Sequence, residues 1–295
     1  MLPRSWMFVP GDSEKKITKS SLLDADALIF CLEDAVAESR KAVARTLVSQ
    51  HLQAHRRDST SQLWVRINAI ETKHLLADLK TVMAAAPHGI FLPKPNCAKD
   101  IETLDHYLSA FETQHNIPIG KTRIMTVVES ARGSLNQSTF ADASPRFSSM
   151  TWGAEDISAD IGASCNKDEA GAHFLIHQMH RAQCLLVCAA ANLQAVDGIC
   201  SDFLDETNLR QQCMRARQEG FSGKIAIHPS QITVINECFT PSQDEIDYAQ
   251  RVCQAFAQAD TGTVALDGKM LDLPHLKQAK KIIQQTSSKT SITQQ

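Results

Sequence analysis

The chain has 295 residues, 43% hydrophobic and 21% charged, which gives ample apolar material for a large core and suits a single α/β barrel. A formal net charge of −3 and a pI near 6.4 give no electrostatic case for nucleic acid or an anionic membrane as partner. No apolar run approaches the roughly 18 residues of a membrane span, and the opening MLPRSWMFVPGDSEKK lacks the apolar core and cleavage site of a signal peptide, so a cytoplasmic location is expected.

Short apolar, β-branched runs then alternate with longer helical patterns. Strands are expected at Trp6–Val9, Ala27–Cys31, Leu63–Ile67, Gly89–Pro93, Arg123–Val128, Met150–Gly153, Ala195–Gly198 and Lys224–His228. Between most of them lie apolar spacings near 3.6, as in Leu75, Leu79, Val82 and Met83. Repeated strand–helix units imply a parallel sheet, and eight of them close into a (β/α)₈ barrel. A doubly wound open sheet is the alternative, but no GxGxxG follows any strand.

After Pro229 the pattern changes. Ser242 and Glu245 form a capping-box pair that opens a helix with Ile246, Ala249, Cys253 and Phe256 on one face. TGTVALDGKMLDLP reads as a turn region, followed by a helix to about Gln285 and a polar, frayed tail. The expected organisation is a barrel domain over 1–240 and a C-terminal arm or lid over 241–295.

Nine cysteines, at 31, 97, 165, 184, 188, 200, 213, 238 and 253, show no CxxC or paired spacing and read as reduced thiols filling a core. His173, His177 and His180 fall at i, i+4 and i+7 of an expected helix, a spacing open to metal. No HExxH accompanies them, so a solvated or packing face is preferred, with Cys184 and Cys188 in the core.

The expected strand ends are strongly polar. They carry Glu33 and Asp34, Arg66 and Asn68, Lys94, Glu129 and Ser130, Glu155 and Asp156, Asp197, and His228. Chemistry in such barrels sits at these ends, and a ring of carboxylates facing Arg and Lys is costly to bury unless it is used. Carboxylates from different strands, without Cys or paired His, suit a hard cation, and Mg²⁺ takes one or two of them while leaving positions open to water or substrate. Glu129 and Asp156 are the candidate ligands. An oxo acid chelated there would have its carbonyl polarised by the metal. Lys94 has a Schiff-base alternative, but beside a two-carboxylate metal pair an ion-pairing or substrate-orienting role is preferred. His228 is read as a packing or supporting residue.

In order, RSWMFVPGDSEKKITKS, DADALIFCLEDAVAESRKAVAR, WVRIN, FLPK, VVESARG, WGAEDISAD, GKIAIHPSQI and GKMLDLP resemble the citrate lyase β-subunit family, which includes malyl-CoA and citramalyl-CoA lyases. The resemblance covers residues 4 to about 285. It implies a barrel lyase that is commonly trimeric, with Glu129 and Asp156 as Mg²⁺ ligands and Arg66 on the oxo-acid and thioester oxygens. It also implies that Glu33 and Asp34 hold metal-bound waters and that Lys15 and Lys19 meet the CoA phosphates. Related mitochondrial lyases have Tyr where this chain has Phe8, so a hydroxyl contact is lost. Asp272 matches a C-terminal acid that reaches an adjacent subunit's site and exchanges the substrate proton.

These roles fit retro-Claisen cleavage of a 3-hydroxyacyl thioester. Mg²⁺ and Arg66 stabilise developing negative charge, Asp272 supplies a proton from an arm that excludes water, and Gly153 and Ala154 offer backbone N–H groups to a substrate carboxylate. Citramalyl-CoA, cleaved to acetyl-CoA and pyruvate, is the expected substrate, with Met125 and Trp152 as candidate walls of a methyl pocket. The alternatives are malyl-CoA lyase, a β subunit of a citrate lyase complex acting on a carrier-bound acyl group, and a non-catalytic CoA-binding relative. A phosphotransferase lacks its Gly-rich loop.

Overall fold

The computed structural model describes residues 2–259 and 261–287; the end of the expected polar tail lies outside the described residues. Strands and helices alternate along the chain: β1 (Ser5–Pro10), α1 (Glu14–Ser20), β2 (Ala27–Cys31), α2 (Lys41–His55), β3 (Gln62–Arg66), α3 (Leu75–Val82), β4 (Gly89–Leu92) and α4 (Ala98–Gln114). They continue as β5 (Arg123–Val128), α5 (Ala131–Asn136), β6 (Phe147–Trp152), α6 (Ala154–Asp160), α7 (Leu175–Ala190), β7 (Gln194–Asp197), α8 (Glu206–Glu219), β8 (Gly223–Ala226) and α9 (Gln231–Phe239). Each strand pairs in parallel with the next, and β8 returns to β1 through Ser5↔Lys224 and Met7↔Ala226, so the eight form a closed barrel as expected.

The barrel closes on an apolar interior. Trp6, Ala27, Ile29, Trp64, Phe91, Met125, Val127, Val196 and Ile225 pack into one buried cluster. Within it the Trp6 and Trp64 ring centroids are 5.2 Å apart. These residues occupy one side of the two-residue strand period, while their neighbours Leu28, Phe30 and Leu92 are equally buried against helices. Strands buried on both faces read as continuous apolar runs, which is why they stood out in the sequence.

The chain divides into two compact units, Pro3–Glu237 and a second that begins at Cys238. The second holds α10 (Gln243–Gln258), β9 (Thr263–Leu266), β10 (Lys269–Asp272) and α11 (Leu273–Ser287). The capping box opens α10 as expected: Ser242 Oγ accepts from the Glu245 N–H at 3.3 Å, and Glu245 accepts from the Ser242 N–H at 2.7 Å. The expected turn region is instead an antiparallel hairpin, Lys269↔Leu266 through Asp272↔Thr263. Asp267 (φ 51°) and Gly268 (φ 74°) give it the two positive φ angles of a tight two-residue turn. Val264, Leu266 and Leu271 pack on Ala249, Val252 and Ala279, and that burial stabilises two strands too short to stand alone.

No described helix is long and apolar enough to cross a membrane.

Candidate active site

A parallel barrel brings the C-terminal ends of all its strands to one rim, and there a cavity of about 300 Å³ opens. Phe8, Cys31, Arg66, Glu129, Thr151 and Asp156 line it, together with the apolar Ile199, Ile225 and Ile227.

Arg66, at the end of β3, is held on three sides. Its Nε and Nη2 donate to Cys31 Sγ at 3.3 and 3.1 Å, Nη2 lies 3.3 Å from Glu33 Oε2, and the guanidinium sits 4.5 Å over the Phe8 ring. Burial would lower its pKa, but Cys31 and Glu33 hold it above the ordinary value, so it stays charged. Phe8 thus serves Arg66 as an aromatic platform. Neither Cys31 nor this platform was foreseen, because a sulfur at the end of an apolar strand reads as core.

Lys94, just beyond β4, bridges the acids of two other strand ends. Its Nζ lies 2.8 Å from Glu33 Oε1, 2.8 Å from Asp34 Oδ2 and 3.4 Å from Asp156 Oδ1. Burial alone would raise the Asp34 pKa, yet the bond from Lys94 brings it below the usual carboxylate value.

Glu129 differs from these acids. It is 5% exposed, and its Oε1 has no hydrogen-bond partner. Burial, reinforced by the charge of Asp156, pushes its pKa well above the ordinary value. A buried carboxylate without a partner is costly, and a cation between Glu129 and Asp156 removes both the orphan and the repulsion. Among the described residues no three or more His, Cys, Asp or Glu side chains gather to hold an ion. Mg²⁺ typically takes one or two carboxylates and keeps water or substrate in its other positions, so the donor set fits that ion and fits a zinc site poorly.

The backbone beside Glu129 is constrained as well. A Cβ on Gly153 would stand 2.8 Å from Glu129 Cβ and 3.1 Å from Oε2, so the strand end can carry no side chain there. The expected pair of N–H donors is reduced to one. The Gly153 N–H is donated to the Val128 carbonyl at 2.9 Å, whereas Ala154, the first residue of α6, has no acceptor within its helix. Below the site, Lys41 Nζ is buried and donates to the Leu32 and Glu33 carbonyls at 2.8 and 2.9 Å and to Asn68 Oδ1 at 2.7 Å. It clamps the segment that carries Glu33 and Asp34. Thr151 is a further residue not anticipated: it lines the cavity, and its buried hydroxyl has no partner.

Several strand-end candidates lie elsewhere. Asn68 is spent on Lys41, Leu32 and Asp78. Asp197 accepts from Trp152 Nε1 and Arg181 at 2.9 Å and from Lys224 at 2.7 Å. Burial would raise its pKa, but Lys224 and Arg181 hold it at about 2. These paired charges lie beside a second cavity of about 590 Å³ that α7 and α8 line, where no buried acid is left unpaired. His228 stacks on Phe203, with centroids 4.6 Å apart. Met125 is sealed in the barrel interior and is not the expected apolar wall, whereas Trp152 lines the cavity, with its indole also against His173 and His180. Ile199, Ile225 and Ile227 complete that wall.

His173 precedes α7 rather than sitting on it, so the three histidines do not share a helix face. His177 bonds Ser158 at 2.7 Å, and His180 bonds Ser134 and the Val128 carbonyl, both at 2.9 Å. The nine cysteines are thiols and not disulfides. Lys15 and Lys19 are exposed on α1. Asp272 belongs to the second unit, at the end of β10, with Oδ1 2.5 Å from His275 Nδ1.

Comparison with known proteins bears on the family and the fold. The HpcH/HpaI aldolase/citrate lyase family matches residues 4–229. A (3S)-malyl-CoA thioesterase of Cereibacter sphaeroides is 34% identical, over 95% of this chain and 93% of its own. The citrate lyase subunit beta of Haemophilus influenzae is 31% identical over 97% and 98%. The mitochondrial citramalyl-CoA lyase of Rattus norvegicus is 32% identical over 95% and 85%. Among solved structures, the protein CitE from Mycobacterium tuberculosis, in complex with magnesium, acetoacetate and coenzyme A, superposes with a TM-score of 0.78. It is 30% identical and covers 96% of this chain and 98% of its own.

Proposed function

The chain belongs to the HpcH/HpaI aldolase/citrate lyase family, and on that footing we propose that it is a Mg²⁺-dependent lyase that cleaves a carbon–carbon bond of a 3-hydroxyacyl-CoA thioester. The observation that carries this reading is the buried, unpartnered Glu129 carboxylate beside Asp156, in a cavity that also presents the Arg66 guanidinium.

Glu129 and Asp156 hold the ion, which when bound supplies positive charge to the substrate oxygens. Arg66 offers its remaining donor capacity to the oxygen on which charge develops as the bond breaks. Cys31, Glu33 and Phe8 fix the guanidinium beforehand, so no reorganisation is needed during the reaction. The Ala154 N–H, at the start of α6 and without an acceptor in its helix, donates to one oxygen of the substrate carboxylate. Ile199, Ile225 and Ile227 limit water beside the leaving enolate. Asp272, on a C-terminal arm spanning 241–295, supplies the proton to that enolate, acting on the site of a neighbouring chain in a homotrimer or hexamer. Lys15 and Lys19 meet the CoA phosphates, and Glu33 and Asp34 order water around the ion.

Citramalyl-CoA is the proposed substrate. Malyl-, citramalyl- and citryl-thioesters differ by hydrogen, methyl or carboxymethyl at one carbon. A methyl fitted into an apolar pocket is worth about 1–3 kcal/mol, and the three isoleucines provide such a wall. A carboxymethyl group needs a second cation, and among the described residues lining the cavity near Glu129 the lone Lys or Arg is Arg66.

The test is one coupled assay of the purified chain on the three CoA esters, with Mg²⁺ and with EDTA. Citramalyl-CoA is expected to give the highest kcat/KM, EDTA to abolish turnover, and Glu129→Ala to do the same without unfolding the barrel. Full activity in EDTA overturns the metal assignment, and a higher value for citryl-CoA overturns the substrate.

A further inference from the structure

Lys94 combines two unusual features. Its φ is +51°, in the left-handed region that a residue with a side chain rarely adopts and that clusters at functional sites. From there its ammonium reaches three carboxylates at once, Glu33 and Asp34 at 2.8 Å and Asp156 at 3.4 Å. The ammonium donates hydrogen bonds to Glu33 and Asp34 and stands as the ion-pair partner of Asp156. These acids come from two strand ends on either side of the cavity, so the contacts draw the rim together. Resting on the assignment of Glu129 and Asp156 as the metal pair, we propose that Lys94 is a positioning residue that serves as the resident counter-cation of the metal site. It holds the acidic rim assembled while no ion is bound and competes with the ion for Asp156.

The charge balance supports this role. With an ion bound, Glu129 is ionised together with Glu33, Asp34 and Asp156, and against the protonated Arg66 and Lys94 the rim's own charge is −2, which one divalent ion neutralises. Without Lys94 the rim carries −3 around the same point. The metal-free protein is then less stable, and a divalent ion is drawn more strongly. A mere strut behaves in the opposite way: its loss frees Asp156 to move and weakens the ion. The resident ammonium thus keeps affinity in an exchangeable range and Asp156 near its ligand position, while the competing charge stays on a flexible stem able to withdraw.

The experiment measures Mn²⁺ binding to the metal-free full chain by electron paramagnetic resonance, Mg²⁺ binding by calorimetry, and Tm with and without metal. Wild type is compared with Lys94→Met, Lys94→Arg and Lys94→Gly. The last removes the charge while suiting the positive φ, so it keeps the test alive if the Met variant folds poorly. Loss of one unit charge this close is expected to tighten binding by about tenfold in the Met and Gly variants. Their metal-free Tm is expected to fall, their metal-induced rise in Tm to exceed that of wild type, and Lys94→Arg to restore most of the wild-type behaviour. Unchanged or weaker binding in both neutral variants, with wild-type binding intact, overturns the counter-cation role. Absence of binding in wild type itself overturns the metal assignment, and the proposal with it.

Discussion

Glu129 is defined by what its neighbours leave out. Gly153 supplies no side chain, and the space this frees is filled by the Glu129 stem, with the built Cβ position only 2.8 Å from Glu129 Cβ. Gly153→Ala is therefore expected to displace the carboxylate while the barrel persists. A displacement of about 1 Å at a reacting centre costs on the order of 10²-fold in rate, and overpacking costs about 1–3 kcal/mol of stability. The readouts are kcat/KM and the urea midpoint, and wild-type kcat/KM in a folded variant contradicts the packing argument. Glu129, Asp156 and Arg66 were legible in the sequence because charged residues at the ends of apolar strands are conspicuous. Cys31 and Thr151 were not, since each is an ordinary strand residue until its partner or lack of partner is known, and at Phe8 the resemblance pointed to a lost hydroxyl and not to the ring under Arg66.

At the scale of elements, local chemistry predicted what local chemistry governs. The capping box opening α10 needs two residues three apart, and both bonds form. The hairpin β9–β10 was read as a turn because its strands have four residues each and the exposed face masks the alternation; its Asp-Gly turn was present in the sequence. The segment between β2 and α2 shows an element held by a residue with no catalytic duty. Lys41 Nζ ties two carbonyls and Asn68 beneath Glu33 and Asp34. Lys41→Met leaves the Glu33 carbonyl and the Asn68 oxygen without this donor, at a cost of about 2–4 kcal/mol. The variant is expected to melt several degrees lower and to turn over more slowly even at saturating Mg²⁺. Unaltered Tm and kcat would show that the clamp is dispensable.

At the scale of the whole molecule, the proposed reaction draws on both units, the rim acids and Arg66 from the first and Asp272 from the second. Asp272→Asn is expected to lower kcat far more than it weakens CoA binding, because the proton is needed in the transition state. Mixing Asp272→Asn chains with Glu129→Ala chains is expected to restore part of the activity, since some sites then receive both intact residues. No rescue after verified subunit exchange rules out a site shared between chains.

The barrel and its order of strands were determined by the sequence, because eight doubly buried strands separated by amphipathic helices have few ways to bury their apolar surface. The sequence also placed the acids and Arg66 on a common rim, since parallel strands put all their C-terminal ends on one side. The tertiary structure alone decided which polar strand ends serve the cavity and which serve the scaffold. Asp197 and Glu129 are both acids at or just beyond a strand end, but Asp197 meets Lys224, Arg181 and Trp152, while Glu129 meets no donor at Oε1. That difference depends on which way each side chain turns and what the neighbouring strands bring to it. Such pairings are long-range, and composition and spacing along one chain do not encode them.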